Sequence, residues 1–289
     1  MNRINLNSDM GESYGRWQLG NDTELMQYVP TINVACGFHA GDPHVMWRTM
    51  ETAARAGVEV GAHVALPDIL GFGRRPMVIS SADLRDYVIY QTGALLGFAR
   101  AAGVSIGHVK PHGALYAMCG GNDDYATSLL AAVKAVDPSL VVILGGPAVA
   151  AAAVSTGVHA VPEGYVDLAY QPNGFPVIER AKRAWDPADV ATRAVSIVRD
   201  RRLKAVDDST LIIDVPTICI HGDAPNALDV ARAVRERLAT AGIEVVSLAK
   251  MMTDSSDRGG LASISQEQAA GLVTTPPRWL TEKRSSDLQ

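Results

Sequence analysis

Ala101-Ala-Gly103-Val-Ser-Ile106-Gly-His-Val109-Lys-Pro-His112-Gly113 is the stretch on which the fold turns. An Ala-rich helix end meets Gly103, a residue free to take the left-handed cap conformation, and a strand begins at once. Ser105 to Val109 alternates, carrying Ile106 and Val109, as a short strand does. Lys110-Pro111 is expected to end it, because proline lacks the ladder donor and restricts the residue before it. His112 then stands at the strand's C-terminal lip, beside a glycine that lets the backbone pass close to whatever the imidazole touches.

The same helix–Gly–strand unit recurs at Arg55-Ala-Gly57-Val-Glu-Val60, Ser155-Thr-Gly157-Val-His-Ala160 and Thr240-Ala-Gly242-Ile-Glu-Val245. Repeated units of this kind build parallel sheets. Strands are expected near 3–9, 31–38, 58–63, 105–109, 139–145, 158–163, 210–220 and 243–248. One helix opens at Asp42-Pro43 and another at Asp223-Ala-Pro225, each an N-cap followed by an early proline. Two more run from Ser80 or Ser81 to Gly103 and from about Pro187 to Arg202. About eight strands alternating with helices in roughly 250 residues fit a (β/α) barrel better than an open sheet. No break in composition divides residues 1–250, which read as one catalytic barrel domain. Residues 251–289, polar, rich in Ser and Thr and containing Pro276-Pro277, read as an extended or disordered tail.

In a parallel barrel, chemistry gathers at the C-terminal ends of the strands. Those ends bring Asn7, Asp9 and Glu12, then Asn33, His39 and Asp42, then His63, Lys110, His112, Glu163, His221 and Asp223. Four of the seven histidines fall there. Singly, each residue has a plain structural reading: Asp42 is a good helix cap, and a lone buried histidine commonly donates to a carbonyl. Their convergence on one face is the case for an enzyme. Asp9, Glu12, Lys110, His112 and Glu163 are the candidate catalytic groups, with Lys110 placed to stabilise oxyanion charge. An Asp with neutral imidazoles, here Asp9, His39, His63 and His112, suits a divalent ion such as zinc, cobalt or manganese. The same groups suit metal-free acid–base work on an amide. Arg74 and Arg75 can grip a carboxylate or phosphate through paired donors. Asn33, Asp42, Tyr116, His221 and Asp223 complete the expected substrate-binding set.

A net charge of −5 without a basic block argues against nucleic acid. Three cysteines are too few and too scattered for a disulfide frame or a Cys-based zinc site. No apolar run reaches the roughly 18 residues of a membrane span, so the expected protein is soluble, cytoplasmic and directed at a small molecule. Neither a P-loop nor Gly-x-Gly-x-x-Gly occurs, and no nucleotide site is expected.

Several of these stretches together resemble the LamB/YcsF family, the A components of 5-oxoprolinase. They are Asn7-x-Asp9-x-Gly-Glu12, Asn33-x-Ala-Cys-Gly-Phe-His-Ala-Gly-Asp42, Gly61-Ala-His63, Pro67-Asp68 with Gly71-Phe-Gly-Arg-Arg75, Val109-Lys-Pro-His-Gly-Ala-Leu-Tyr116, Glu163 and Cys219-x-His-Gly-Asp223. The resemblance implies an irregular (β/α) barrel of the glycoside hydrolase/deacetylase type, with seven or eight parallel strands. It implies ATP-dependent opening of the lactam 5-oxoproline to glutamate, with ATP handled by partner subunits B and C. More distant deacetylases bind a metal through one Asp and two His, roles that by strand position fall on Asp9, His63 and His112. The alternatives are a stand-alone metal-dependent amide hydrolase or deacetylase and a non-catalytic substrate-binding protein. The chain departs from the family pattern at Ser8, at Val64 and at Leu168, where an Arg is usual and for which Arg180 is a possible substitute.

Overall fold

Alternation along the first strand sets the architecture. β1 (Asn2–Met10) turns Ile4 and Leu6 to one side and Asn5, Asn7 and Asp9 to the other, and all five are buried. A strand buried on both faces belongs in a sheet covered by helices. A computed structural model, which describes residues 2–177 and 182–256, has that arrangement.

On one side of β1 follow β2 (Thr31–Ala35), β3 (Glu59–Val64), β4 (Ile106–Pro111), β5 (Val141–Ile143) and β6 (Ala160–Val161). On its other side stand β10 (Thr217–Cys219) and then β7 (Glu163–Tyr165), and every pairing is parallel. Only Pro162 separates β6 from β7, so the chain itself joins the two edges of this eight-stranded path and nearly closes a barrel. β11 (Ile243–Val246) pairs with residues 2–5 of β1, whereas residues 7–10 pair with β2, which makes the wall irregular.

Helices α2 (Pro43–Ala56), α3 (Ser81–Ala102), α4 (Gly113–Gly121), α5 (Asp123–Val136), α6 (Pro147–Thr156), α7 (Pro187–Asp200) and α8 (Ala227–Thr240) pack around the sheet, with α9 (Leu248–Ser256) and the one-turn α1 (Asp22–Leu25). Their caps follow the sequence signals. Asp42 accepts from the N–H groups of His44 and Val45, and Ser80 with Asp83 forms a capping box. Caps of this kind are each worth about 0.5–2 kcal/mol. Gly57, Gly103, Gly157 and Gly242 all take positive φ, between +65° and +72°. Among the described residues, no helix is long and apolar enough to cross a membrane.

Five expectations change. The strand expected over 158–163 is two, β6 and β7, parted at Pro162, so that Glu163 opens a strand instead of ending one. The strand expected over 31–38 stops at Ala35, because Gly37, at φ +98°, turns the chain back so that its N–H donates to the Ala40 carbonyl. The strand expected to stop at Val109 continues through Lys110 to Pro111. The strand expected over 210–220 is two strands. β9 (Thr210–Ile212) forms an antiparallel ribbon with β8 (Arg202–Lys204), and only β10 enters the barrel. Asp223 does not open a helix, since α8 starts only at Ala227 and Asp223 is drawn into ion pairs. Of the expected tail, α9 covers residues to Ser256, and the rest, like Arg180, lies outside the described residues.

Candidate active site

The inside of the barrel is polar. Asn5 Nδ2 donates to Thr31 Oγ1 at 2.8 Å, and Thr217 Oγ1 donates to Asn5 Oδ1 at 2.6 Å. One layer up, Asn7 Nδ2 donates to Thr217 Oγ1, and Asn33 Nδ2 donates to both Asn7 Oδ1 and Asp9 Oδ1, each at 2.8 Å. His108 Nε2 donates to Asn33 Oδ1 at 2.7 Å. The His108 ring lies where a side chain at residue 61 would be: a Cβ on Gly61 would stand 2.1 Å from Nε2. Gly61 therefore answers to His108, and this ladder fixes the height and direction of Asp9.

Above the ladder sits Lys110. Its Nζ lies 2.9 Å from Asp9 Oδ1, 3.1 Å from Glu163 Oε2 and 3.2 Å from Cys219 Sγ, and the residue is 2% exposed. Burial pulls the ammonium down, but Asp9, Cys219 and Glu163 outweigh it and hold its pKa well above the ordinary value. Burial pushes Asp9 up, and His63 and Lys110 overcome that, leaving its carboxyl well below the usual range. Burial pushes the Cys219 thiol up, although Lys110 opposes it. Lys110 and Asp9 are thus a buried, fully charged pair. Tyr165 completes the surroundings, its hydroxyl donating to Glu163 Oε1 at 2.7 Å.

Beside this pair, three imidazoles meet one carboxyl. Glu12 Oε1 lies 3.0 Å from His39 Nε2, 3.3 Å from His112 Nδ1 and 3.8 Å from His63 Nε2. The rings of His39 and His112 stack with centroids 3.9 Å apart. Gly73, at φ +64°, leaves room for both, since a Cβ there would come within 2.9 Å of each side chain. Two backbone carbonyls decide the tautomers. His63 Nδ1 donates to the Lys110 carbonyl at 2.9 Å, and His112 Nε2 donates to the Phe72 carbonyl at 2.8 Å. In the neutral rings the lone pairs then sit on His63 Nε2 and His112 Nδ1, which face each other at 2.9 Å. Burial, reinforced by the neighbouring imidazoles, holds His39 and His112 well below the ordinary histidine value. Burial and the charges of Asp9 and Asp223 push Glu12 well above the carboxylate range. Three ring nitrogens and one carboxyl oxygen converging in this way can hold a cation. Glu12, His39, His63 and His112 offer donor atoms that all lie within 4.8 Å of one another, and the two carbonyls supply the outer support that ligating histidines ordinarily have. Asp9, expected among the ligands, touches this group through His63, 3.3 Å from its Oδ2, and falls in a second trio with Cys219 and His221.

A cavity of about 180 Å³ opens onto both groups. Asp9, Glu12, His63, Lys110, His112 and Glu163 form its polar floor, and Pro162, Tyr165, Leu168, Tyr170, Phe175 and Val215 form an apolar wall. A second cavity, of about 160 Å³, reaches Glu12 and His39 beside Trp17 and Phe72. Of the expected substrate-binding residues, Tyr116, Arg74 and His221 line the main cavity. Tyr116 accepts from the Gly145 N–H, and His221 is held by Asp167 at 2.9 Å. Asp167, through its bonds with His221 despite burial, is lowered to about 2. The remaining four are engaged away from the cavity wall. Asn33 supports Asp9, Asp42 caps α2 and accepts from the Gly15 N–H, Arg75 pairs with Asp68, and Asp223 pairs with Arg74 and Lys182. Sequence reasoning leaves out His108, Cys219 as a neighbour of Lys110, and Lys182. His108 is visible as the residue two before Lys110, on the same strand face. Lys182 has no such signal.

Comparison with known proteins agrees with this picture. The LamB/YcsF family matches residues 4–253, and the chain belongs to that family. It is 45% identical over 246 residues to the A component of 5-oxoprolinase from Nocardia farcinica, covering 84% of this chain and 98% of that protein. It is 46% identical over 250 residues to the corresponding component from Mycolicibacterium gilvum, covering 86% and 99%. The crystal structure of a lactam utilization protein from Thermus thermophilus superposes with a TM-score of 0.78 at 39% identity, covering 85% of this chain and all of that one.

Proposed function

We propose that the chain is the A component of a cytoplasmic, multi-component 5-oxoprolinase, opening the lactam ring of 5-oxoproline to glutamate while partner subunits B and C handle ATP. The observation that carries this reading is a small cavity with a buried ammonium and an imidazole cluster on its floor, in a chain 45–46% identical to proteins of that name over nearly their whole length. An unstrained amide resists water, so coupling to ATP through a phosphorylated form is chemically reasonable.

In this reading Lys110, charged and fixed between Asp9 and Glu163, faces the oxygen on which negative charge develops when water adds to the amide carbon. Asp9, kept ionised by the Lys110 ammonium 2.9 Å away, is positioned to take a proton from the attacking water. Glu12, His39, His63 and His112 would hold a divalent ion, zinc, cobalt or manganese. Such an ion, when bound, supplies Lewis acidity and lowers the pKa of water. The apolar wall of Leu168, Tyr170 and Phe175 encloses the methylene side of a small ring and excludes bulk water.

Purified chain assayed alone and then with B and C tests the reading. The expected result is glutamate from 5-oxoproline only with all components and ATP, and no micromolar ATP affinity of the chain by itself. Hydrolysis of a simple amide by the chain alone, without ATP, points instead to a stand-alone metal-dependent amidohydrolase.

A further inference from the structure

We infer that His39 is a positioning residue and that the ion sits on Glu12, His63 and His112; this rests on the metal reading above and narrows it from four donors to three. His39 donates from Nε2 to Glu12 Oε1 at 3.0 Å and so holds that carboxyl in place. A ring nitrogen's lone pair lies in the plane of its ring, and an ion bound there lies near that plane. The rings of His39 and His112 are stacked, 8° from parallel with centroids 3.9 Å apart. An ion in the plane of one therefore stands off the plane of the other, and the two rings cannot share it in this arrangement. His63 meets no such conflict. Its ring stands at 89° to that of His112, so one point can lie in both planes, and the facing nitrogens already approach to 2.9 Å.

His63 is perpendicular to His39 as well, at 89°, so the choice between the stacked rings falls to two other observations. The first is the outer nitrogen. A neutral imidazole that gives one nitrogen to a metal carries its proton on the other. For His63 and His112 that proton meets the Lys110 and Phe72 carbonyls, at 2.9 and 2.8 Å. For His39 it would sit on Nδ1, which is buried and has no hydrogen-bond partner among the described residues. A buried N–H without an acceptor is costly. The other tautomer gives its proton to Glu12 and leaves only a bare lone pair at Nδ1, the milder defect. The second is placement. His63 and His112 line the main cavity, His39 lines the second one, and Glu12 lines both. The three ligands are thus those that face the substrate, with His39 behind Glu12. Three protein donors that leave a position for water or substrate are the pattern of catalytic zinc sites. A hydrogen bond onto the ligating carboxylate is the ordinary outer support of such a site.

Titration of the full chain with cobalt(II), followed through its visible absorption bands, and with zinc in competition tests this division. Circular dichroism certifies the fold of each variant. His39→Gln, whose amide N–H can take the place of Nε2–H, is expected to keep both the affinity and the cobalt spectrum of wild type. His39→Leu should weaken binding about 10- to 100-fold, as loss of an outer partner does. Its cobalt bands at saturation should still match wild type, because the ligands are the same. His63→Gln and His112→Gln should each abolish binding. Cobalt bands altered in His39→Leu, or binding abolished by His39→Gln as by His63→Gln, overturn the positioning role and return His39 to the ligands. Undiminished affinity in His39→Leu overturns it too, since Glu12 then needs no donor. A folded wild-type chain that binds neither ion removes the metal reading, and this inference with it.

Discussion

Around Lys110 every charge meets its opposite, whereas around Glu12 three ring nitrogens converge on one carboxyl oxygen. The lysine is enclosed by Asp9, Glu163, Cys219 and Asn7, with donors matched to lone pairs. A few ångströms away, His39, His63 and His112 aim ring nitrogens at one carboxyl oxygen, and two of those rings give their other nitrogen to a backbone carbonyl. Both groups are buried on the same barrel floor. The first is complete without a ligand and holds the barrel together. The second is complete only when a proton or a metal ion is supplied. Burial therefore says little about role until the partners of each group are counted.

The largest effect should come from breaking the matched group. Lys110→Met leaves two buried carboxylates without a counter-charge, and destabilisation of about 3–5 kcal/mol is expected in a denaturant titration, together with loss of turnover. Adding Glu163→Gln to that variant should recover part of the stability. A melting temperature unchanged by Lys110→Met alone breaks the comparison.

The unmatched group should respond in the opposite sense. Divalent zinc, cobalt or manganese at about 100 times its dissociation constant should raise the stability of the wild-type chain by about 2.7 kcal/mol. His63→Gln should abolish that gain, because Gln cannot present the His63 lone pair, while costing less than Lys110→Met in the absence of metal. A metal response that survives His63→Gln in full assigns the ion elsewhere.

Asp22 sharpens the contrast through pH. Its Oδ2 accepts from the Gly11 N–H at 2.7 Å and so fixes the turn that carries Glu12. Unlike Asp9 it is not overcome by a cation: burial outweighs Gly11 and Arg48 and raises it from 3.8 to about 6. A carboxyl raised on folding contributes stability that is fully present below pH 3.8 and lost as pH rises through 6. Asp22→Asn, which keeps an acceptor for Gly11, should therefore gain on wild type between those values and be more stable above pH 6, by at most about 3 kcal/mol. A difference that does not change across that window removes the contrast with Asp9.

What the sequence determined by itself is local. Asp42-Pro43, Ser80 with Asp83, and the glycines at 57, 103 and 157 act within a few residues of themselves, and the structure has these caps where the chain places them. Alternation in β1 and β4 likewise settled that Asp9, Lys110 and His112 face one side, because side-chain direction in a strand repeats every two residues. Only the tertiary structure decided which of these groups touch. Register and closure of the barrel set Glu12 against three imidazoles and left Asp9 to Lys110. They also committed Asn33, Asp42 and Arg75 to support and brought Lys182 to Asp223 across 41 positions of the chain. The long run 210–220 reads as one strand for the same reason. Its apolar residues do not reveal that the first part pairs with β8 and the last with β1, since pairing depends on partners that lie far away in sequence.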